Sequence, residues 1–392
     1  MTQRVELPPL DADQAAISKA LRQTLIGDIQ ANGAMRFSEY MHRCLYEPQL
    51  GYYVNGLAKL GRDGDFVTAP ELSDNFAFCI ARQAAEVLES IGGGDLLEFG
   101  GGSGRLAVDV LCELEKTGTV PEHYFLLDVS GELQQRQRQL VASELPTRLA
   151  GKVCWVDGFV PDFKGVAIAN ELFDAFPVDQ FCIEDGGAKV VYVDYIDGQI
   201  CTVLKPDESV AAHVSALQAD IGQQLPEGYR SEFCPLMHGW WASLAESMAC
   251  GVILVCDYGC ERSRYYSALR SSGSLRCFLR HTVHSNPLIN QAVQDITADV
   301  DFTAVAESAI RGGLVLEGFT SLSDFLLSLG ALDRLEEKLD GLNESERLRI
   351  TGNFKQLILP EEMGERFMVA GFSKAVEPAL SGFSGSDLSR LL

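Results

Sequence analysis

A glycine-rich turn with a carboxylate on either side is the part of the sequence best suited to chemistry. Four glycines fall within the five residues 100–104, directly after an apolar run that ends at Phe99. Glycines between a buried strand and a helix let the backbone turn sharply and come close to a ligand, and the helix then points free N–H groups at it. Glu98 precedes the first glycine by two residues, and Asp128 ends the next apolar run. In a site for an adenosine ligand with a charged amino-acid arm, Glu98 would meet the ammonium group and Asp128 the ribose hydroxyls.

Three interpretations of this turn are open from the residues alone. The pattern E-x-G-x-G-x-G with an acid at the next strand end is typical of methyltransferases that use S-adenosylmethionine. Residues 102–107 also fit the dinucleotide form G-x-G-x-x-A, which indicates a nicotinamide or flavin enzyme. Glycines that serve only a tight turn are the third interpretation, although so many glycines cost stability. The candidate cofactor-binding residues are Glu98, Gly100, Gly102, Gly104 and Asp128.

Apolar runs that alternate with helical patterns indicate the elements that position this turn. We predict strands at 95–100, 123–130, 152–158, 165–173, 251–259, 314–321 and 366–374. Apolar strands that alternate with helices are typical of a parallel sheet covered on both faces. The sequence therefore predicts an α/β fold, with a Rossmann-like core built on a mostly parallel seven-stranded sheet.

Patterns outside the strand–helix alternation predict additional parts around the core. Residues 1–92 read as an N-terminal helical cap with a long loop, in which Ser38 and Ser73 would each cap a helix. The core would comprise 93–177 and 251–392. One insert, 178–250, would hold a hairpin and helices, and a second, 265–311, would lie within the core.

Composition restricts the class of protein. The chain has 392 residues with 32 basic and 55 acidic side chains, a net charge of −23, and 46% hydrophobic residues. This composition excludes intrinsic disorder, and a binder of nucleic acid would carry a basic surface. Eleven cysteines without a C-x-x-C pair indicate free thiols in a reducing compartment. Acids among the first fourteen residues argue against a transit peptide, and no apolar window spans a membrane, so we predict a cytoplasmic protein.

Six segments, in order along the chain, resemble the MidA-like family. They are Gly51–Tyr53, Gly64–Glu71, Glu98–Gly104, Asn170–Val178, Asp257–Gly259 and Gln294–Phe302. The resemblance runs from about residue 35 to 374 and implies a class I methyltransferase fold with S-adenosylmethionine as the cofactor. Mitochondrial members of the family are protein arginine methyltransferases that act in assembling respiratory complex I. One departure is Asp128, where the family usually has Glu, which shortens the reach to the ribose by one methylene.

Residues at the end of the fourth predicted strand are candidates for the chemistry that this resemblance implies. A guanidinium nucleophile has a pKa above 12, so it must be held by carboxylates and give up a proton as the new bond forms. We expect Glu171 to orient the guanidinium, with assistance from Asp174, and Asn170 to contact the amino-acid end of the cofactor. The structural alternatives are an acid at a helix N-terminus for Glu171 and a helix cap for Asn170.

Further candidates lie at other strand ends and in the loops. Asp157 would contact the adenine amino group or simply make a turn. Thr68 and Pro70 belong to the loop 64–70, which would close over the cofactor as a lid or pack as an ordinary loop. The candidate substrate-binding residues are Asp257, Tyr258, Asp295 and Asp301.

A zinc site is the weakest of the candidates. Cys277, His281 and His284 lie close in sequence, but the chain has no second pair of ligands at zinc spacing, so we predict no metal.

The leading prediction for function is an S-adenosylmethionine-dependent methyltransferase that modifies arginine on a cationic protein substrate. One alternative is an assembly factor that binds the cofactor with little or no turnover, since a fold and a pocket do not prove catalysis. Another alternative is an NAD(P)-dependent oxidoreductase. A small-molecule methyltransferase is disfavoured by the large inserts, which suit a macromolecular substrate. The sequence predicts neither the oligomeric state nor the degree of methylation.

Overall fold

Strands and helices alternate along most of the computed structural model, which describes residues 7–57 and 68–392. The strands are β1 (Met35–Arg36), β2 (Asp95–Phe99), β3 (Tyr124–Leu127), β4 (Val153–Val156), β5 (Phe163–Asn170), β6 (Asp179–Glu184), β7 (Gly187–Ile196), β8 (Gln199–Pro206), β9 (Arg230–Phe233), β10 (Met248–Cys260), β11 (Arg276–Leu279), β12 (Thr282–His284), β13 (Asp295–Thr297), β14 (Val300–Asp301), β15 (Val315–Ser321) and β16 (Phe367–Lys374). The α-helices are α1 (Ala12–Asn32), α2 (Phe37–Tyr46), α3 (Ala69–Leu72), α4 (Asp74–Ser90), α5 (Arg105–Thr117), α6 (Gly131–Glu144), α7 (Thr147–Ala150), α8 (Glu208–Asp220), α9 (Met237–Ser247), α10 (Arg262–Tyr265), α11 (Phe302–Arg311), α12 (Leu322–Ser328), α13 (Ala331–Leu339) and α14 (Glu344–Ile358). Short 3₁₀ turns lie at Tyr52–Val54, Ala268–Arg270, Ser381–Phe383 and Ser389–Leu391, and a π-helical turn at Pro360–Gly364.

The described chain forms two compact units. The sheet unit comprises residues 68–173, 237–260 and 302–392, and the second unit comprises 7–57, 174–236 and 261–301.

The sheet unit contains a mixed sheet whose strands pair in the order β15-β16-β10-β5-β2-β3-β4. Neighbours from β10 to β4 run parallel, and β16 runs antiparallel to both β10 and β15. The chain leaves β2 toward β3 and β4 and later returns to β5 on the other side of β2. Ligands of such sheets bind at the carboxyl ends of the strands where the order reverses, which here is the end of β2. The α/β fold with strands alternating with helices is confirmed.

Side chains on β2 alternate between two apolar clusters. Leu96 belongs to a buried cluster that includes α4 and α5, and Phe99 contacts the ring of Trp240 on α9 with centroids 5.1 Å apart. Trp241, next along the helix, is fully buried and packs on Phe372 of β16. Because successive side chains of a strand point to opposite faces, this alternation fixes which residues of β2 face each cluster.

The second unit contains two smaller sheets. Its larger sheet pairs β1, β7, β6 and β9 in that order, with β8 added to β7, and its smaller sheet pairs β12, β11 and β13. The predicted hairpin is present, because Glu184 pairs with Gly187 across the two-residue turn Asp185-Gly186, both at positive φ. The second unit also contains helix α1, which begins with a capping box at Asp11.

One predicted cap is wrong and one is confirmed. Helix α2 begins at Phe37, after Arg36, so Ser38 already lies inside the helix. Its N–H donates to Asp179 Oδ1 at 3.2 Å, so a carboxylate distant in sequence supplies the acceptor that a capping side chain would otherwise give. Ser73 caps α4 as predicted, since its side chain accepts the N–H of Asn75.

Two further observations concern the cysteines and the helices. All eleven cysteines lie in the described part of the chain as free thiols, as their spacing predicts. Across residues 7–57 and 68–392, no helix combines the length and the apolar character that crossing a bilayer requires.

Candidate functional site

The glycine turn joins the end of β2 to the start of α5. Gly100, Gly102 and Gly104 have φ values of 67°, 52° and 88°, which lie in the left-handed region that a side chain disfavours. Gly104 occupies the N-cap position of α5, and its N–H donates to the carbonyl of Gly101 at 2.8 Å. Gly100 is exposed and Gly102 is half-buried, so solvent reaches this part of the turn.

Gly101 is required by close packing, not by its backbone conformation. A Cβ atom at Gly101 would lie 2.7 Å from Leu126 Cδ2, and one at Gly104 would lie 3.2 Å from the Cα atom of Gln137. The turn therefore packs directly against β3 and α6. Each of these glycines therefore has a physical reason at this bend.

Glu98 is a buried carboxyl at the end of β2. It is 3% exposed, and its Oε2 accepts a hydrogen bond of 2.7 Å from the hydroxyl of Tyr124. Burial raises the pKa of Glu98 to about 7, the Tyr124 hydroxyl opposes this, and the charge of Asp128 adds to it. A ligand cation beside this carboxyl would favour its ionised form, as expected of a group that meets an ammonium.

Asp128 lies just after β3 and is held in a fixed orientation. Its Oδ1 accepts the N–H of Ser130 and its Oδ2 accepts Gln137 Nε2, each at 2.9 Å. Burial raises the pKa of Asp128 to about 6, and the hydrogen bonds from Ser130 and Gln137 oppose that rise. The neighbouring Val129 is 64% exposed, so an apolar surface adjoins this carboxylate.

Gln137 on α6 connects these parts, and the sequence analysis missed it. Its Nε2 also donates to the carbonyl of Gly102 at 3.0 Å, and its Oε1 accepts the indole N–H of Trp155 at 2.9 Å. The side chain is fully buried. A signal exists in the sequence, because Leu133, Gln137 and Val141 form a buried stripe at i, i+4 spacing, and a glutamine within such a stripe needs polar partners.

Glu171 follows β5 in a conformation unusual for its type. Its φ is 50°, and its half-buried carboxylate accepts at Oε1 the N–H of Ala69 at 3.1 Å and Asn170 Nδ2 at 3.3 Å. Burial raises the pKa of Glu171 to about 8, together with the charge of Asp257, while the hydrogen bonds from Ala69 and Asn170 oppose the rise. Non-glycine residues at positive φ persist where the surroundings hold them, and they concentrate at functional sites.

Asn170 carries a buried acceptor that fits a ligand. Its Oδ1 has no hydrogen-bond partner within the residues that the structure describes. Ala169 pairs with Phe99 across β5 and β2, so Asn170 and Gly100 occupy neighbouring positions at the same sheet edge. Buried polar atoms are nearly always satisfied, and the predicted contact of Asn170 with the cofactor would give this oxygen a partner.

The start of α3 lies between the glycine turn and Glu171. Ala69 donates to Glu171, and the hydroxyl of Ser103 in the glycine turn donates to Glu71 Oε1. Thr68 is half-buried at the N-cap position of α3, and Pro70 is buried. The rest of the predicted lid, residues 64–67, lies outside the described residues, so the lid stays a prediction.

Asp257 and Tyr258 stand on β10, which pairs with β5. Asp257 is fully buried, and its Oδ2 accepts the N–H groups of Leu172 and Phe173 at 3.0 and 2.7 Å. Its Oδ1 accepts the N–H of Tyr258 at 2.9 Å. The ring of Tyr258 packs on Phe367 with centroids 3.9 Å apart. The carboxylate of Asp257 thus contacts the main chain of the Glu171 turn, and a contact with substrate stays a prediction for both residues.

The remaining candidates are divided between the two units. Asp157 is exposed, just after β4. Asp174, Asp295 and Asp301 belong to the second unit. There Asp295, which is 2% exposed, accepts the hydroxyl of Tyr53 at 3.0 Å. Their roles stay predictions.

The cysteine and histidines considered for zinc do not gather into a ligand set among the described residues. Cys277 pairs with His284 across β11 and β12. A group of three possible ligands, Asp95, Glu122 and His123, occurs instead at the amino end of β2, where Asp95 Oδ1 already accepts the N–H of His123 at 2.9 Å.

Comparisons with known proteins agree with this geometry. The family model described as "Putative S-adenosyl-L-methionine-dependent methyltransferase" matches residues 79–320. A curated relative from Danio rerio, "Protein arginine methyltransferase NDUFAF7, mitochondrial", is 30% identical over 381 residues, which cover 90% of this chain and 86% of the relative. The human protein of the same name is 30% identical over 370 residues, covering 88% and 81%.

A solved structure supports the same assignment. The crystal structure of a COG1565 superfamily member from Burkholderia thailandensis, bound to S-adenosyl-homocysteine, superimposes with a TM-score of 0.93. It is 35% identical and covers 99% of this chain and 100% of its own. Of the interpretations left open for the glycine turn, the methyltransferase is confirmed.

The predicted cytoplasmic location is wrong by the same comparisons, because the curated relatives are named mitochondrial. Free thiols indicate only a reducing compartment, and the acids near residue 10 do not specify which one. The expected cofactor, S-adenosylmethionine, is confirmed by the family description and by the ligand of the related crystal structure. The chain belongs to the MidA-like family of S-adenosylmethionine-dependent methyltransferases.

Proposed function

We propose that this methyltransferase acts on the guanidinium group of an arginine side chain in a protein. The observation that carries the proposal is the Glu171 carboxylate, held in a left-handed turn at the sheet edge that also bears the glycine turn. The names of the zebrafish and human relatives support arginine as the acceptor.

The cofactor residues take roles that follow from their chemistry. The backbone of Gly100, Gly102 and Gly104 would lie against the cofactor. Glu98 would pair with its ammonium group and Asp128 with its ribose hydroxyls. The unpaired Asn170 Oδ1 supports a second contact to the amino-acid end. We extend the proposal to Thr68, Pro70 and Asp157, with Asp157 at the adenine amino group.

The carboxylate of Glu171 would reduce the repulsion between the acceptor guanidinium and the cofactor. When bound, S-adenosylmethionine supplies a methyl group on a positively charged sulfur. Two like unit charges 4 Å apart, such as the sulfonium and the guanidinium, repel by about 4 kcal/mol at an effective dielectric constant near 20. A carboxylate beside the guanidinium offsets this repulsion. Glu171 would accept two N–H groups of the guanidinium. Its raised pKa suits it to take the proton that nitrogen releases as the nitrogen–carbon bond forms and the carbon–sulfur bond breaks, which leaves a neutral thioether.

The proposal on the substrate side keeps each residue in its predicted role. Asp174 would assist at the acceptor, and Tyr258, Asp295 and Asp301 would each contact the substrate. The net charge of −23 supports a cationic protein substrate, since opposite charge speeds association.

The finer fold assignment is also proposed. The strand order with one antiparallel strand supports a class I methyltransferase core of seven strands. We assign residues 93–177 and 251–392 to that core, 1–92 to an N-terminal cap, and 178–250 and 265–311 to inserts that recognise the substrate.

Methylation of cell protein tests the proposal. The full chain is incubated with methyl-labelled S-adenosylmethionine and a heat-treated total protein extract, and labelled acceptors are digested and identified by mass spectrometry. We expect label on arginine with the wild type and none with Glu171→Gln, while calorimetry shows unchanged cofactor binding by the variant. Label on another residue type, or full activity of Glu171→Gln, would refute the proposed acceptor or the role of Glu171. Cofactor binding without any transfer would favour an assembly factor.

A further inference from the structure

A buried carboxylate on β10 fixes the backbone that carries Glu171. Asp257 Oδ2 accepts the N–H groups of Leu172 and Phe173, the two residues that follow Glu171. The side chain is 0% exposed, so these hydrogen bonds lie out of water, where charge-assisted bonds are strong. Removing such an acceptor would leave two backbone donors without this partner.

The same strand also holds Glu171 itself. The N–H of Glu171 donates to the carbonyl of Cys256 at 2.9 Å, and Cys256 pairs with Asn170 in the register of β10 and β5. The N–H groups of residues 171–173 therefore all donate to two consecutive residues of β10, Cys256 and Asp257. The turn depends on these hydrogen bonds, because Glu171 has a φ of 50°, a conformation that its β-carbon disfavours.

We propose that Asp257 is a positioning residue for methyl transfer: its carboxylate holds residues 171–173 in the left-handed turn that aims Glu171 at the acceptor. This inference rests on the proposed role of Glu171 and replaces direct substrate contact as the role of Asp257. Asp257 accepts the main-chain N–H groups of Leu172 and Phe173, so it acts on Glu171 through the turn.

Asp257 also influences the proton affinity of Glu171. After burial, the negative charge of Asp257 is the interaction that raises the pKa of Glu171. The neighbouring thiol of Cys256 on β10 is kept neutral, because burial and the charges of Glu171 and Asp257 raise its pKa well above the ordinary value. From α3, the partner that faces Glu171 is the uncharged N–H of Ala69. Asp257 is therefore the charged residue of β10 that raises the pKa of Glu171.

Asp257→Asn tests the proposal in the full chain. Initial rates are measured with labelled S-adenosylmethionine and the heat-treated total protein extract as the acceptor, across a pH series. We expect the maximal rate to fall about tenfold or more while the cofactor Kd stays within about twofold. The midpoint of the rise of rate with pH should move to lower pH, because the variant lacks the charge that raises the pKa of Glu171.

A matched control separates positioning from general loss of stability. Asp387 Oδ1 also accepts two backbone N–H groups, from Phe319 and Ser389, in the same unit. Asp387→Asn should leave the rate and its pH midpoint unchanged. If Asp257→Asn does not fold, Asp257→Glu keeps the charge but displaces it by one methylene, and it should lower the maximal rate without lowering the pH midpoint.

A second readout does not depend on the acceptor. The change in the free energy of unfolding caused by Glu171→Gln is measured from pH 5 to 8.5, once in the wild-type chain and once in the Asp257→Asn variant. The pH range over which this change grows should lie lower in the Asp257→Asn variant. An unchanged rate and an unchanged pH dependence in the Asp257 variants would overturn this inference. Full activity of Glu171→Gln would instead overturn the proposed function, so the two failures are distinguishable.

Discussion

Replacing Glu171 by Gln should stabilise the protein, and the gain should grow with pH. Burial raises the pKa of this carboxyl from 4.5 to about 8. The folded state therefore holds the proton more tightly than the unfolded state between these values, and stability is lost as the pH rises through that window. From about 1.36 kcal/mol per pKa unit, the carboxyl costs folding about 1 kcal/mol at pH 5 and about 4 kcal/mol at pH 8.

Gln resembles the protonated carboxyl and keeps an acceptor for the N–H of Ala69. The free energy of unfolding of Glu171→Gln minus that of the wild type should thus increase by about 3 kcal/mol between pH 5 and pH 8. Urea unfolding followed by far-UV circular dichroism measures this difference. Glu246, an exposed acid on α9, provides the control, and Glu246→Gln should give the same small difference at both pH values. A difference for Glu171→Gln that does not change with pH would refute the reasoning.

Three further substitutions test the cofactor side by calorimetric titration with S-adenosylmethionine. Gly104→Ala should weaken binding and destabilise the fold by about 1–2 kcal/mol, because φ is 88° and the new Cβ would lie 3.2 Å from Gln137; wild-type affinity would contradict this. Gln137→Ala should weaken binding about tenfold or more, since Asp128 and the carbonyl of Gly102 lose a shared donor. Tyr124→Phe should raise the pKa of Glu98 further, so affinity should fall more at pH 7 than at pH 8.5; an equal loss at both would contradict the ion pair.

The parts of the fold that the sequence predicts are those governed by local pattern. The strands β2, β3, β5 and β10 are apolar because the sheet buries them, and the glycines after β2 mark a bend that no other residue type adopts easily. The hairpin turn Asp185-Gly186 is likewise encoded in two residues.

The parts that the sequence does not predict depend on contacts distant along the chain. The residue type of Glu171 does not predict its left-handed backbone conformation. That conformation is held by hydrogen bonds to Asp257, which lies some eighty residues later in the chain. Ser38 is not a cap because Asp179 supplies the acceptor. The sequence analysis missed Gln137 because most residues of its helix, α6, are polar. Only the structure shows that Gln137 lies on the buried face of that helix. The grouping of distant segments into two units follows from packing and is not visible as a change of composition.

The most direct test of the central claim is a crystal structure of the chain with S-adenosylhomocysteine. We predict electron density at the carboxyl end of β2, with the ribose hydroxyls within hydrogen-bond distance of the Asp128 carboxylate and the ammonium group beside Glu98. The sulfur should face the Glu171 turn. A ligand bound elsewhere, or with its ribose away from Asp128, would contradict the account.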